Sequence, residues 1–209
     1  MQINPSQTSL FDYIYDSDKS ASTLETIGKN QSKNISSGLS AFETGLQRNE
    51  FDDTLKRIEK GQIDLDVNTV EHYLQFNLQR LEQQVSSLQS RFDLQQPIRI
   101  TIAEDGLQVD TQSQPELQGY LAKDQRLTSL LEQTSKLSQF MEWAAAKQQA
   151  ASFQSEDMPE DTLINFLQDA RKVVTEPNSI FLSSKGVTFG SQGHSQKLIE
   201  QYSENSSRK

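Results

Sequence analysis

Residues 98–109, IRITIAEDGLQV, restrict the fold more than any other stretch of this chain. Apolar side chains alternate along it: Ile98, Ile100 and Ile102 on the way out, Leu107 and Val109 on the way back. Between them lies Asp105-Gly106, a pair favoured in two-residue type I′ turns because both positions need φ > 0. Alternation and turn together predict a β-hairpin. Ile102 then faces Val109, Ile100 faces Thr111, and one side of the hairpin is apolar. Arg99, Thr101, Gln108 and Asp110 lie on the other side. An isolated hairpin is marginal in water, so its apolar side requires helices to cover it.

The flanking segments are built for that. Upstream, Asn68 and Glu71 have capping-box spacing, and Leu74, Leu78, Leu81, Val85, Leu88 and Phe92 follow in steps of four and three up to Pro97. This seam predicts a long core-facing helix and leaves open a homo-oligomer formed through it. Downstream, Pro115 suits the first turn of a short helix with Leu117, Tyr120 and Leu121. Asp124 reads as the N-cap of a second long helix, whose seam is Leu127, Leu130, Thr134, Leu137, Met141 and Ala144, widened by Leu131, Phe140 and Ala145. Two helices of about 35 Å each can pair antiparallel, with the hairpin where they cross.

A third helix is expected after residues 151–158, with Asp157 and Glu160 at its start and a stripe of Leu163, Phe166, Leu167, Ala170 and Val174 ended by Pro177. The following segment, IFLSSKGVTF at 180–189, aligns on ITIAEDGLQV at 100–109. Ile180 falls on Ile100, Leu182 on Ile102, Gly186 on Gly106 and Phe189 on Val109. Chance resemblance of two hairpins and a duplicated helix-hairpin-helix unit, 68–123 and 159–203, both account for this. Either way the two hairpins can join in one four-stranded antiparallel sheet. The fold class expected is α+β, mostly helical: two long antiparallel helices and shorter ones packed on one or two hairpins.

The organisation expected is a core domain over 67–203, preceded by a short amphipathic helix and linker over 49–66. That helix holds Phe51, Leu55 and Ile58, with Gly61 as its C-cap. Residues 1–48 read as a polar, Ser/Asn/Gln-rich arm with too little apolar surface to offset chain entropy. A weak helical pattern, Leu39, Phe42 and Leu46, lies within it, and residues 204–209 read as a frayed tail. One apolar cluster interrupts the arm near its start, Leu10, Phe11, Tyr13, Ile14 and Tyr15.

Function is bounded mainly by exclusion. A net charge of -9 over 209 residues, with no dense Lys/Arg cluster, argues against nucleic acid and anionic membrane surfaces. No apolar run approaches the ~20 residues of a membrane span. The start, MQINPSQTSLFDYIYDSD, lacks the basic and apolar regions of a secretory signal. A cytoplasmic protein, or one exported without a Sec signal, is expected. Absence of cysteine removes disulfides and thiolate chemistry. Asp64, Asp66 and Asn68 open like a calcium loop, but Thr69 and Gln75 stand where that loop needs Gly and Glu. His72 and His194 lack companions at metal-ligand spacing, and no nucleophile elbow or phosphate loop occurs. No catalytic, cofactor-binding or metal residue is assigned.

What remains are apolar side chains beyond the needs of a helical hairpin. Phe11, Tyr13, Tyr15, Phe140 and Trp143 are the candidate partner-binding residues, since aromatics anchor protein interfaces. The expectation is a non-catalytic protein-interaction or assembly protein, with another protein as partner. One version is bacterial and export-linked, a substrate or accessory of a flagellar or type III-like apparatus. A cytoplasmic adaptor or chaperone masking a partner's helix is the alternative, and an enzyme with an unrecognised site is a third.

Overall fold

The computed structural model describes residues 33–47, 50–63, 65–92, 94–103, 106–110, 114–156 and 158–207. Their elements are α1 (Lys33–Gln47), α2 (Phe51–Glu59), α3 (Val67–Gln89), β1 (Ile98–Ala103), β2 (Gly106–Val109), α4 (Pro115–Lys123), α5 (Gln125–Ser155), α6 (Glu160–Thr175), β3 (Ser179–Ser183), β4 (Gly186–Phe189) and α7 (His194–Ser207). The fold is α+β and mostly helical, with the strands in one antiparallel sheet ordered β2-β1-β3-β4.

Local chemistry sets most boundaries. Asp124 caps α5 by accepting from the Leu127 N–H at 3.0 Å, and Pro115 opens α4. At the end of α2, Gly61 takes φ 67; its N–H bonds the Ile58 carbonyl and the Gln62 N–H bonds the Arg57 carbonyl. Those two bonds are a Schellman motif. The α3 cap differs from expectation. Asp66, not Asn68, accepts from the Asn68 and Thr69 amides, so the helix begins at Val67. Asp66 thus serves as a helix cap. Asp157, the residue expected to cap α6, lies outside the described residues, and α6 begins after Pro159 with no side-chain cap.

The hairpin register is one turn position away from the sequence reading. Ala103 pairs with Gly106, Ile102 with Leu107 and Ile100 with Val109. Gly106, at φ 115, is therefore paired in β2 rather than placed in the turn. Each Ile partner moves by two positions. That even shift keeps side chains on the same face, so the apolar side survives.

The second hairpin repeats the first. Ser183 pairs with Gly186, Leu182 with Val187 and Ile180 with Phe189, each eighty positions beyond its counterpart, and Gly186 takes φ 119. Where the hairpins meet, Ile100 pairs with its own counterpart, Ile180. A local two-fold axis therefore passes between these two residues and relates the halves of the sheet.

The apolar face is covered by the C-terminal half of α3 (Leu81, Val85, Leu88), by Leu117 and Leu121 of α4, and by Leu127, Leu130 and Leu131 of α5. Farther along α5, Leu137, Phe140, Trp143 and Ala144 meet Val70 near the start of α3 together with Phe42, Leu46, Phe51 and Leu55 of α1 and α2. The reversed order of contacts shows that α3 and α5 run antiparallel. The end of α5 packs Ala146, Ala150 and Phe153 on Phe166 and Ala170 of α6, with Leu198, Ile199 and Tyr202 of α7 alongside. With 31 residues against 23, α5 outruns α3, and its extra length joins α6 and α7 to the body. The folded body also takes in residues expected to lie in the arm: Phe42 of α1 is fully buried and Leu46 nearly so.

A polar network ties the halves together inside this core. Asn178 donates to the hydroxyls of Ser135 (2.8 Å) and Ser191 (3.2 Å) and accepts from the Ser191 N–H (3.0 Å). The Ser138 hydroxyl lies 3.0 Å from that of Ser191, and Gln139 donates to the Val173 and Glu176 carbonyls. Every side chain named is buried and has a partner, as such a network needs to be stable. Next to it, the Glu142 carboxylate receives the N–H groups of Gly193 and Ser195 and the Ser195 hydroxyl, capping α7 from a neighbouring helix.

Candidate functional site

Of the aromatic residues expected to meet a partner, Phe11, Tyr13 and Tyr15 lie outside the described residues. Phe140 and Trp143 are core residues instead, 1% and 5% exposed. Phe140 is wedged between Phe42 (ring centroids 5.0 Å apart) and Trp143 (5.5 Å), and Lys147 lies 4.8 Å over the Trp143 ring. The folded α1 supplies the apolar cover that a two-helix core lacks, which removes both from any partner surface. Among the described residues no group of three or more His, Cys, Asp or Glu is placed to hold a metal. His194 is exposed at the start of α7 and His72 half-buried in α3.

A different feature emerges where α3 passes the first turns of α5. Arg80, Gln125, Arg126, Ser129, Leu130 and Gln133 line an open depression of about 390 Å³. Beside it, Phe76 is 41% exposed, and the Arg80 guanidinium lies 5.7 Å from its ring centroid. Four positions apart on α3, Phe76 and Arg80 share one helix face, so the aromatic ring and the cation are held together by helix geometry. Arg126 sits in the first turn of α5, where the helix dipole disfavours a cation. Neither arginine forms a salt bridge with a described carboxylate.

Two cations therefore line one groove on a chain of net charge -9, and an exposed ring stands against one of them, Arg80. The groove's lining is polar and its volume lies near the small end of the few-hundred-Å³ range of small-molecule sites. Its forked guanidiniums can grip a carboxylate, and the Phe76 ring beside Arg80 can pack on an apolar side chain.

The surroundings are tied down. One turn along α5 from Gln133, Lys136 donates to the Leu46 carbonyl of α1 at 3.2 Å. Burial holds the Lys136 ammonium below its ordinary value, against the opposing pull of Glu132, and burial likewise holds the Glu132 carboxyl up. Close to Phe76 on α3, the Tyr73 phenol is pushed up by burial and by Glu43 of α1. So α1 runs beside the same stretch of α3.

The two signals for this site were present in the sequence. Phe76 lies off the apolar seam, four residues before Arg80, and Arg126 opposes the dipole of the helix that it begins. Only the antiparallel pairing of α3 with α5 brings them together. No helix among the described residues is long and apolar enough to cross a membrane. No family model, curated protein or solved structure matches this chain.

Proposed function

We propose that this chain is a non-catalytic protein-interaction or assembly protein that takes an acidic, aromatic-bearing segment of a partner into the groove between α3 and α5. The observation behind this reading is the juxtaposition of exposed Phe76 with Arg80 and Arg126, neither ion-paired to a described carboxylate. A nucleic acid fits worse, because two cations neutralise too few phosphates to overcome the repulsion of a chain at -9. An acidic peptide needs only the two ion pairs and one stacking contact.

The test places a photo-reactive amino acid at Ser129, exposed in the groove, in the full chain expressed in cells of its source. Irradiation should attach a second protein, and the attachment point should map to a segment rich in Asp or Glu. Arg80→Glu with Arg126→Glu should abolish the adduct, while an equal double reversal at exposed Lys123 and Lys197 should leave it. An adduct indifferent to the arginines, or no adduct with any protein, would overturn the proposal.

A further inference from the structure

We infer that the acidic group received by the α3–α5 groove is a phosphoryl group, carried on a serine or threonine side chain of the partner. This rests on the reading of the groove as an acidic-peptide site and names the chemistry that fills it. Every polar residue of the lining brings a hydrogen-bond donor: the guanidiniums of Arg80 and Arg126, the amides of Gln125 and Gln133, and the Ser129 hydroxyl. None of the described lining residues is acidic. On a chain of net charge -9, a lining of this kind selects an anion.

The number of donors decides which anion. A side-chain carboxylate has two oxygens and a single charge, and one guanidinium fork satisfies both oxygens. The second arginine would then go unmatched. A phosphomonoester has three terminal oxygens and a charge of about -1.5 to -2 at pH 7, so it engages two forks at once. Arg80 belongs to α3 and Arg126 to α5, so the forks stand on separate walls of the groove.

The start of α5 adds to this. Gln125 and Arg126 open its first turn, where the helix dipole favours an anion. The Asp124 carboxylate beside them is engaged by the Leu127 N–H (3.0 Å) and the Tyr120 hydroxyl (3.4 Å). No described acceptor takes the N–H groups of Gln125 and Arg126. A bound phosphoryl group offsets the cost of placing the Arg126 cation at that end of the dipole.

The test uses the full chain and two fluorescein-labelled peptides, Tyr-Asp-Ser-Asp-Tyr phosphorylated on its serine and the same peptide with glutamate in place of the phosphoserine. Fluorescence anisotropy should show the phosphopeptide binding about tenfold more tightly. Arg80→Lys and Arg126→Lys keep the charge but lose the fork, and each should cut that preference to about threefold or less. Treating a lysate with a protein phosphatase before irradiation should also remove the Ser129 adduct. Equal affinity for the two peptides, or an adduct that survives the phosphatase yet still requires both arginines, overturns the phosphoryl inference and leaves the acidic-peptide reading standing. Inorganic phosphate that competes at the phosphopeptide's own concentration would identify a free anion as the ligand and overturn the peptide-borne source. If neither peptide binds and no adduct forms, both readings fall.

Discussion

Replacing Glu142 by alanine removes three hydrogen bonds from the start of α7: those from Gly193 N–H (2.8 Å), Ser195 N–H (2.9 Å) and Ser195 Oγ (2.6 Å). Losing a helix cap typically costs about 1 kcal/mol, and losing an anion at the positive end of the dipole about 0.3–1 kcal/mol more. The site is half-buried, so water replaces the carboxylate only in part, and the bonds are charge-assisted. A total of roughly 2–3 kcal/mol follows. For a body of this size each kcal/mol lowers the melting temperature by about 2–4 °C, so Glu142→Ala should melt roughly 4–12 °C lower. Glu142→Gln should fall between: it keeps one acceptor but turns an NH2 toward a donor, losing about 1–2 kcal/mol. Circular dichroism melts give the totals, and amide exchange locates them, with protection lost first over Ser195–Leu198. A Glu142→Ala protein melting within about 1 °C of the parent, with α7 equally protected, would show that the carboxylate does not anchor this helix.

Three other perturbations have worked outcomes. Gln118 seals the outer edge of β2 as a neighbouring strand would, accepting from Val109 N–H (2.6 Å) and donating to the Leu107 carbonyl (2.9 Å). Gln118→Ala should cost about 1–2 kcal/mol by urea denaturation and add concentration-dependent association through the bared edge; unchanged values on both would refute the sealing role. The Asn77 amide is fully buried in α3 with no atom in hydrogen-bond geometry to a described partner, although the Tyr73 hydroxyl feels its influence. Asn77→Leu should therefore stabilise by about 1–2 kcal/mol, and a loss in the same assay would reveal a partner for the amide. Tyr202 is pushed up to about 12 by burial and by its hydrogen bond to Asp169. Below its ordinary value near 10 both folded and unfolded phenols are protonated and its contribution is intact. Between that value and about 12 only the unfolded chain releases the proton, so stability falls as pH rises. Tyr202→Phe should flatten that alkaline slope, and an unchanged slope would refute the assignment.

Local rules were readable from sequence wherever one residue decides the outcome. Asp124, Pro115 and Gly61 each stand at the helix boundary that their chemistry dictates. So does the alternation of the hairpins, which survived a misplaced turn because parity, not the exact partner, assigns side chains to faces. What failed had tertiary causes. The seam of α3 passes through Asn77, while Leu78, read as a seam leucine, lies at the half-buried margin of the sheet-side core. An Asn in a buried stripe is invisible to a count of apolar residues. Phe140 and Trp143 looked surplus because α1, with its weak pattern of Leu39, Phe42 and Leu46, was not counted as cover. The groove was legible only in its parts: Phe76 off the seam and Arg126 against its helix dipole stand out in sequence, but only the pairing of α3 with α5 brings Arg126 to Arg80.

The repeated hairpins set the proposed groove apart from the rest of the fold. In each half a helix precedes the hairpin and another follows it, and the last inward residue of each hairpin donates its N–H to a glutamine: Val109 to Gln118, Phe189 to Gln192. The repetition stops there. Gln118 lies in α4, but Gln192 lies in the turn before α7, whose start is held by Glu142 of α5. Helix α5 has no counterpart in the repeat; it joins the two units, and all three cores are built along it. The sheet, related to itself by a local two-fold axis, would offer a partner two similar surfaces. The groove of Phe76, Arg80 and Arg126 lies where a repeated element, α3, meets the unrepeated one, so it occurs once. On the proposal made above, a chain whose sheet has a local two-fold gains a single binding groove through the helix that breaks the symmetry.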